Sequence, residues 1–376
     1  MGFKHGFMHL ESDKTRAHAA RRAGRCVSFA RAAIVGAVGL SLITSPITAA
    51  AAPVVRAASN EEASSSNQPL RLWYDEPASA GANDKTDVWQ ERTLPIGNGD
   101  MGANVYGEIA EEHLTFNEKT LWSGGPAKDR KYNGGNLPEK GRDGATIKEI
   151  QKLFREGKVD EASKKCEDLV GLSDDEGTQG YGHYLPWGDV KLAYKNVNAN
   201  AAKGYERDLD LTTGIAGVRF TQQGTTYRRE FFASHPDDVL VGHLTAEGDG
   251  KLDIDIAFPS AQDGSVKAEG DAIVNSGALK DNQLAFDSVL KVKADGGTLT
   301  ANGDKLEVRN ANELTFVVSA ATDYKNDYPA YRTGETPSQL HRRVQETADK
   351  ALAKDYAALR TAHVSDVQSL MGRVSL

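Results

Sequence analysis

Apolar and polar residues alternate with a period of two over most of residues 217–322. "GVRFTQQGTTYRREFFAS" (217–234) is two alternating runs around Gln223–Gly224, which predicts a β-hairpin. Strand patterns follow at 238–247, 251–258, 288–295, 305–310 and 313–322, separated by Asp-Gly, Gly-Gly and Asn-Gly turns. The spacing predicts a mainly β fold, a large antiparallel β-sandwich. Two segments change period. In 144–171, Ile147, Ile150, Leu153, Phe154, Val159, Ala162, Cys166 and Leu169 recur at helical spacing, and Gly157 divides them into two short helices. In 337–363, Leu340, Val344, Ala348, Ala351, Leu352, Tyr356 and Leu359 predict one long amphipathic helix, whose apolar stripe must pack on something.

The beginning of the chain reads differently. Five arginines between Arg16 and Arg31 precede an apolar run at 32–47, and "TAAAAP" (48–53) offers small residues for cleavage. Residues 1–52 are therefore expected to be a signal peptide, and the product secreted or at the cell surface, meeting the membrane only through export. The apolar run is shorter than the roughly 20 residues a spanning helix needs. Residues 53–69, rich in Ala, Ser, Asn and Glu, predict a flexible linker. The expected organisation is completed by a β-sandwich domain at 70–332, carrying the helical insertion near 144–171, and a helical linker at 333–376.

Net charge is −8 and the body of the chain has no basic block, which excludes nucleic acid as a partner. Of the two cysteines, Cys26 falls in the signal and Cys166 has no partner, so no disulfide framework is expected. Cys166 reads as a small buried apolar residue. The histidines show no metal-ligand spacing. No cofactor and no metal are expected.

"LPIGNGDMGANVYG" (94–107) contains G-x-G-x-x-G at Gly97, Gly99 and Gly102, with Glu118 downstream. A dinucleotide fingerprint needs a helix opening at these glycines. Here strand-like "NVYGEI" and "EHLTF" follow, so the glycines are read as turn and packing residues.

"WQERTLPIGNGDMGANVYGEIAEEHLTFNEKTLWSGGP" (89–126) resembles the opening block of the family-95 glycoside hydrolases, exo-acting α-L-fucosidases. The blocks "YLPWGDVKL" (184–192), "YERDLDLTTGIAGVRF" (205–220), "YRREFFASHPDDVLVGHL" (227–244), "VVSAATDY" (317–324) and "HVSDVQSLMGRVSL" (363–376) are similar to later ones, in order. Asp100, Met101, Asn104, Tyr106 and Lys119 depart mildly from the family pattern. The resemblance implies an N-terminal super-sandwich and helical linker ahead of a catalytic (α/α)6 barrel that would begin downstream. It implies hydrolysis of terminal α-1,2-linked L-fucose with inversion, a fucosylated glycan as partner, and intramolecular contact with that barrel. No catalytic residue is carried over, and the chain alone is expected to be inactive.

Glycoside hydrolysis uses two carboxyl groups about 5–9.5 Å apart. Glu111 and Glu112 fall at an expected turn, and Asp174, Asp175 and Glu176 in a loop, all read as solvated. Asn117, Glu118 and Trp122 combine hydrogen-bonding groups with an aromatic ring, as sugar sites do. His183 and Trp187, in "GYGHYLPWGD", add an aromatic loop. For these five residues a sugar contact and a packing role both stay open. So does a free-standing carbohydrate-binding or structural module without hydrolase activity.

Overall fold

A computed structural model of the chain describes residues 70–83, 85–125, 144–169, 182–328 and 330–373. The expected signal peptide and linker lie outside the described residues, as do Asp174, Asp175, Glu176 and Tyr181.

In chain order the first elements are β1 (Arg71–Tyr74), α1 (Val88–Glu91), β2 (Leu94–Gly97), β3 (Met101–Val105) and β4 (Glu111–Glu118). Next come α2 (Ala145–Arg155), α3 (Val159–Cys166), β5 (Gly188–Tyr194), β6 (Lys203–Asp210), β7 (Ile215–Gln222) and β8 (Thr225–Ser234). Then follow β9 (Val239–Glu247), β10 (Leu252–Ala257), β11 (Gly264–Glu269), β12 (Ala272–Ala278) and β13 (Ala285–Asp295). The last are β14 (Thr298–Asn302), β15 (Lys305–Ala311), β16 (Glu313–Thr322), α4 (Pro337–Leu352) and α5 (Tyr356–Met371).

The strands form two antiparallel sheets. One has nine strands in the order β1-β6-β7-β8-β9-β16-β13-β12-β11, the other seven in the order β14-β15-β10-β5-β4-β3-β2. The expected hairpin is β7–β8. Gln223 and Gly224 both take positive φ, as a two-residue primed turn demands. The G-x-G-x-x-G segment is the β2–β3 hairpin. Asn98 Oδ1 accepts from the amides of Asp100 and Met101 at 2.9 and 2.8 Å, and Gly99 has φ +94°. No helix opens there.

The inner faces of the two sheets share one apolar core. Phe116 meets Trp187 and Phe258 edge to face, and Trp187 meets Phe286 the same way, with ring centroids 5.8–6.2 Å apart. One ion pair crosses this core. Arg229 on β8 and Glu112 on β4 are fully buried and 2.7 Å apart. Glu112 also accepts from the amides of Gly107, Glu108 and His113, and Arg229 lies over the Tyr194 ring. Burial pushes the Glu112 carboxyl up, against the pull of Arg229 and the amides. The reading of Glu112 as a solvated turn residue is thus corrected. It sits on β4 in alternation with inward-facing Leu114 and Phe116.

A second apolar cluster lies outside the nine-stranded sheet. Leu340, Val344, Ala348, Ala351 and Leu352 of α4 pack on Phe232, Val241, Val289 and Val317. The single helix expected over 337–363 is two helices. Thr336 and Gln339 form a capping box around Pro337, the first residue of α4, and Asp355 caps α5 by accepting from the Ala358 amide at 2.7 Å. The aspartate offers the backbone an end and a new beginning that the apolar stripe does not reveal.

α2 and α3 form the expected pair, with Gly157 at φ +76° between them. They pack on each other, burying Ile150 and Ala162 and leaving Ile147, Phe154 and Val159 half exposed. Cys166 is exposed, correcting the expectation of a buried residue: α3 packs mainly on α2, through Ala162.

Candidate functional site

β4 ends at Glu118, and the chain turns into the loop 119–125. This loop, the β12–β13 connection and the segment after β16 enclose a cleft of about 450 Å³. Its walls include Trp122, Gly124, Asn282, Tyr324, Tyr331 and Arg332. Trp122 and Tyr324 expose 46% and 39% of their surface, enough to offer a ring face to a ligand.

The loop is held rigidly. Asn282 Nδ2 donates to the carbonyls of Trp122 and Gly124 at 3.0 and 2.7 Å, and the Asp281 carboxylate accepts from the Gly124 amide. The Trp122 indole donates to the Lys119 carbonyl at 2.9 Å, and its ring lies against Tyr184 with centroids 5.4 Å apart. Gly182 passes so close that a Cβ there would stand 1.7 Å from the Ser123 carbonyl oxygen. Only glycine fits. Arg332 donates to the Asn282 carbonyl at 3.1 Å, tying the far wall to the same connection.

The five residues singled out from sequence go to different places. Trp122 lines the cleft. His183 is exposed, and its backbone pairs with Ser123: the Ser123 amide donates to its carbonyl, and its amide donates to Ser123 Oγ at 2.8 Å. Glu118 lies behind the wall, 6% exposed, accepting from the amide and hydroxyl of Thr120 at 2.9 and 2.6 Å. Burial raises its pKa, opposed by the two Thr120 bonds. Asn117 is half-buried and accepts from the Glu118 amide at 3.0 Å. Trp187 is 1% exposed and donates to Ser288 Oγ at 2.9 Å, so its ring belongs to the core and offers no face to a ligand. Asn282, Tyr324, Tyr331 and Arg332 were not singled out from sequence. For Tyr324, Tyr331 and Arg332 the local signal was the tyrosine-rich run "DYKNDYPAYR" (323–332), and for Asn282 there was none.

Among the described residues no carboxylate lines the cleft. It can stack apolar C–H faces on Trp122 and Tyr324 and donate hydrogen bonds from Lys119 and Arg332. Among the described residues no group of three His, Cys, Asp or Glu side chains is placed to hold a metal ion, and no helix is long and apolar enough to cross a membrane.

Alpha-L-fucosidase 2 of Arabidopsis thaliana is 26% identical over 336 residues, covering 82% of this chain and 37% of that protein. A probable alpha-fucosidase A of Aspergillus oryzae is 26% identical over 297 residues, covering 75% of this chain and 38% of that one. The chain thus spans less than two fifths of the length of these curated relatives. A solved structure proposed to be a kojibiose phosphorylase from human microbiome aligns with 80% of this chain and 38% of its own, at 11% identity and a TM-score of 0.46. The model for the N-terminal domain of glycosyl hydrolase family 65 matches residues 72–327, well over half of the chain, and with that match this chain belongs to the glycosyl hydrolase family 65 N-terminal domain family.

Proposed function

We propose that this chain is the non-catalytic N-terminal region of an exported α-L-fucosidase-type hydrolase of the family-95 kind. In the longer enzyme, terminal α-1,2-linked L-fucose is cleaved with inversion, and the Trp122 cleft faces the fucosylated glycan or the catalytic barrel. The observation that carries this reading is the cleft itself: exposed rings and hydrogen-bond donors on a pinned loop, with no carboxylate among its described lining residues. The kinship with alpha-L-fucosidase 2 supports the choice of sugar. The test is to incubate the purified chain with 2′-fucosyllactose and follow both fucose release and the indole N–H resonance of Trp122. No release, with a Trp122 shift, is expected. Fucose release that survives Trp122→Ala and further purification sinks the non-catalytic assignment, and an unmoved Trp122 sinks the sugar contact.

One observation favours a second reading, the free-standing sugar-binding module. The apolar stripe of α4 is buried on the sandwich's own sheet. On this reading the chain unfolds cooperatively as a monomer and binds the trisaccharide without any further domain.

A further inference from the structure

The outer face of the seven-stranded sheet carries a groove of about 750 Å³ that the cleft does not use. Its floor is set by register. His113, Lys191, Ala257 and Lys305 form one cross-strand row over β4, β5, β10 and β15. Glu111, Ala193, Asp255 and Glu307 form the next. Each row spans roughly 14 Å, from the ~4.8 Å between strands. Ala193 and Ala257 leave the middle of the floor low, while longer side chains rise around it.

One wall is aromatic. Tyr106 and His113 stack with centroids 4.3 Å apart and 19° between planes. Trp89, on α1 next to the lining residue Val88, stands outside that wall at the groove's margin: it donates its indole N–H to Thr115 Oγ1 at 3.0 Å, and it is 48% exposed. The charges in the floor are largely satisfied by one another. Asp255 is held between Lys195 and Arg309 at 2.7 and 2.6 Å, Arg309 also reaches Glu307 at 3.2 Å, and His113 lies 3.3 Å from Asp189. Exposed Lys191, Lys305 and Glu111 leave both donors and an acceptor at the rim. α4 and α5 pack on the other sheet.

We propose that this groove binds a neutral oligosaccharide, at a site separate from the Trp122 cleft. Sugars present apolar C–H faces and hydroxyls that both donate and accept. An aromatic wall, a low alanine floor and a rim of mixed sign match that pattern. A rim holding both signs gives no net attraction to a polyanion. From His113 to Glu118, where β4 ends and the cleft loop begins, is about 17 Å at ~3.4 Å per residue, so the groove and the cleft are distinct positions.

The tryptophans separate the two sites. Trp89, beside lining residue Val88, reports the groove's margin, Trp122 the cleft, and buried Trp187 the core. Cellohexaose, a neutral probe without fucose, is titrated into the full chain carrying 15N-labelled indoles, to about 10 mM, for an expected Kd on the order of 1 mM. Trp89 is expected to shift while Trp187 stays fixed, and the shift is expected to persist in Trp122→Ala. Tyr106→Ala weakens binding about tenfold. Ala193→Gln fills the floor from the solvent side without touching the core, and abolishes binding. An unmoved Trp89, a Trp89 shift that disappears in Trp122→Ala, or a response to a sulfated oligosaccharide but not to cellohexaose would each overturn the proposal. A Trp89 response alongside an unmoved Trp122 with 2′-fucosyllactose leaves the groove standing and removes the cleft reading alone.

Discussion

The two sheets present opposite outer faces. In the nine-stranded sheet, β16 reads "ELTFVVSAAT" and is buried at nearly every position, on both sides. In the seven-stranded sheet, β4 reads "EEHLTFNE" and is buried only at alternate positions. The first strand is apolar on both faces because α4 covers its outer side; the second keeps His113 and Thr115 turned outward. A helix-covered sheet spends its outer face on stability.

The sharpest test strikes where the two sheets meet. Arg229→Met leaves Glu112 buried without its cation and removes donors to the carbonyls of Glu108 and Ile109. A loss of about 3–5 kcal/mol is expected in urea unfolding. A loss under 1 kcal/mol would mean the sheets do not depend on that pair. On the covered face, Leu340→Ala removes a side chain that is 1% exposed, and should cost about 2–5 kcal/mol by the same measurement.

The covered face should also sense acid. His243 lies under Tyr356 with rings 3.6 Å apart, and burial lowers its pKa from 6.5 to about 4. The unfolded chain then binds more protons between these values. This contribution is complete above pH 6.5 and is lost as pH falls towards 4, by at most about 3 kcal/mol. His243→Gln should flatten that part of the stability profile relative to the unsubstituted chain, and an unchanged slope would refute the assignment. Smaller again, Thr336→Ala removes the α4 cap and should cost about 1 kcal/mol. Smallest of all, Lys191→Ala on the open face should change stability by less than about 0.5 kcal/mol. A larger loss there would show that the open face also holds the fold together.

The difference between the faces was partly legible in sequence. The period of two marked most strands, and Gln223–Gly224 marked its hairpin, because both signals are local. The unbroken apolar run of β16 and the stripe of α4 each announced a partner, but neither said that the other was it. The helix break at Asp355 went unread because the apolar spacing runs through it, while the cap depends on one oxygen reaching the Ala358 amide. Glu112 was misread for a related reason. Two adjacent glutamates look solvated until Arg229, far along the chain, is brought beneath one of them. In the cleft, Trp122 was visible inside its motif, whereas Asn282 and Arg332 become part of the site only through backbone contacts across the fold. Trp187 looked like its neighbours in the loop and differs from them only by burial.

The position of β16 has a consequence for the order of assembly. β16 is the last strand among the described residues, yet it lies inside the nine-stranded sheet, between β9 and β13. During synthesis, the five strands from β1 to β9 and the three from β11 to β13 can form only as separate patches, with β9 and β13 as open edges. Unpaired edges recruit other chains, and pairings distant in sequence form late. A nascent chain halted before residue 313 therefore carries two sticky margins, and completing β16 closes both at once.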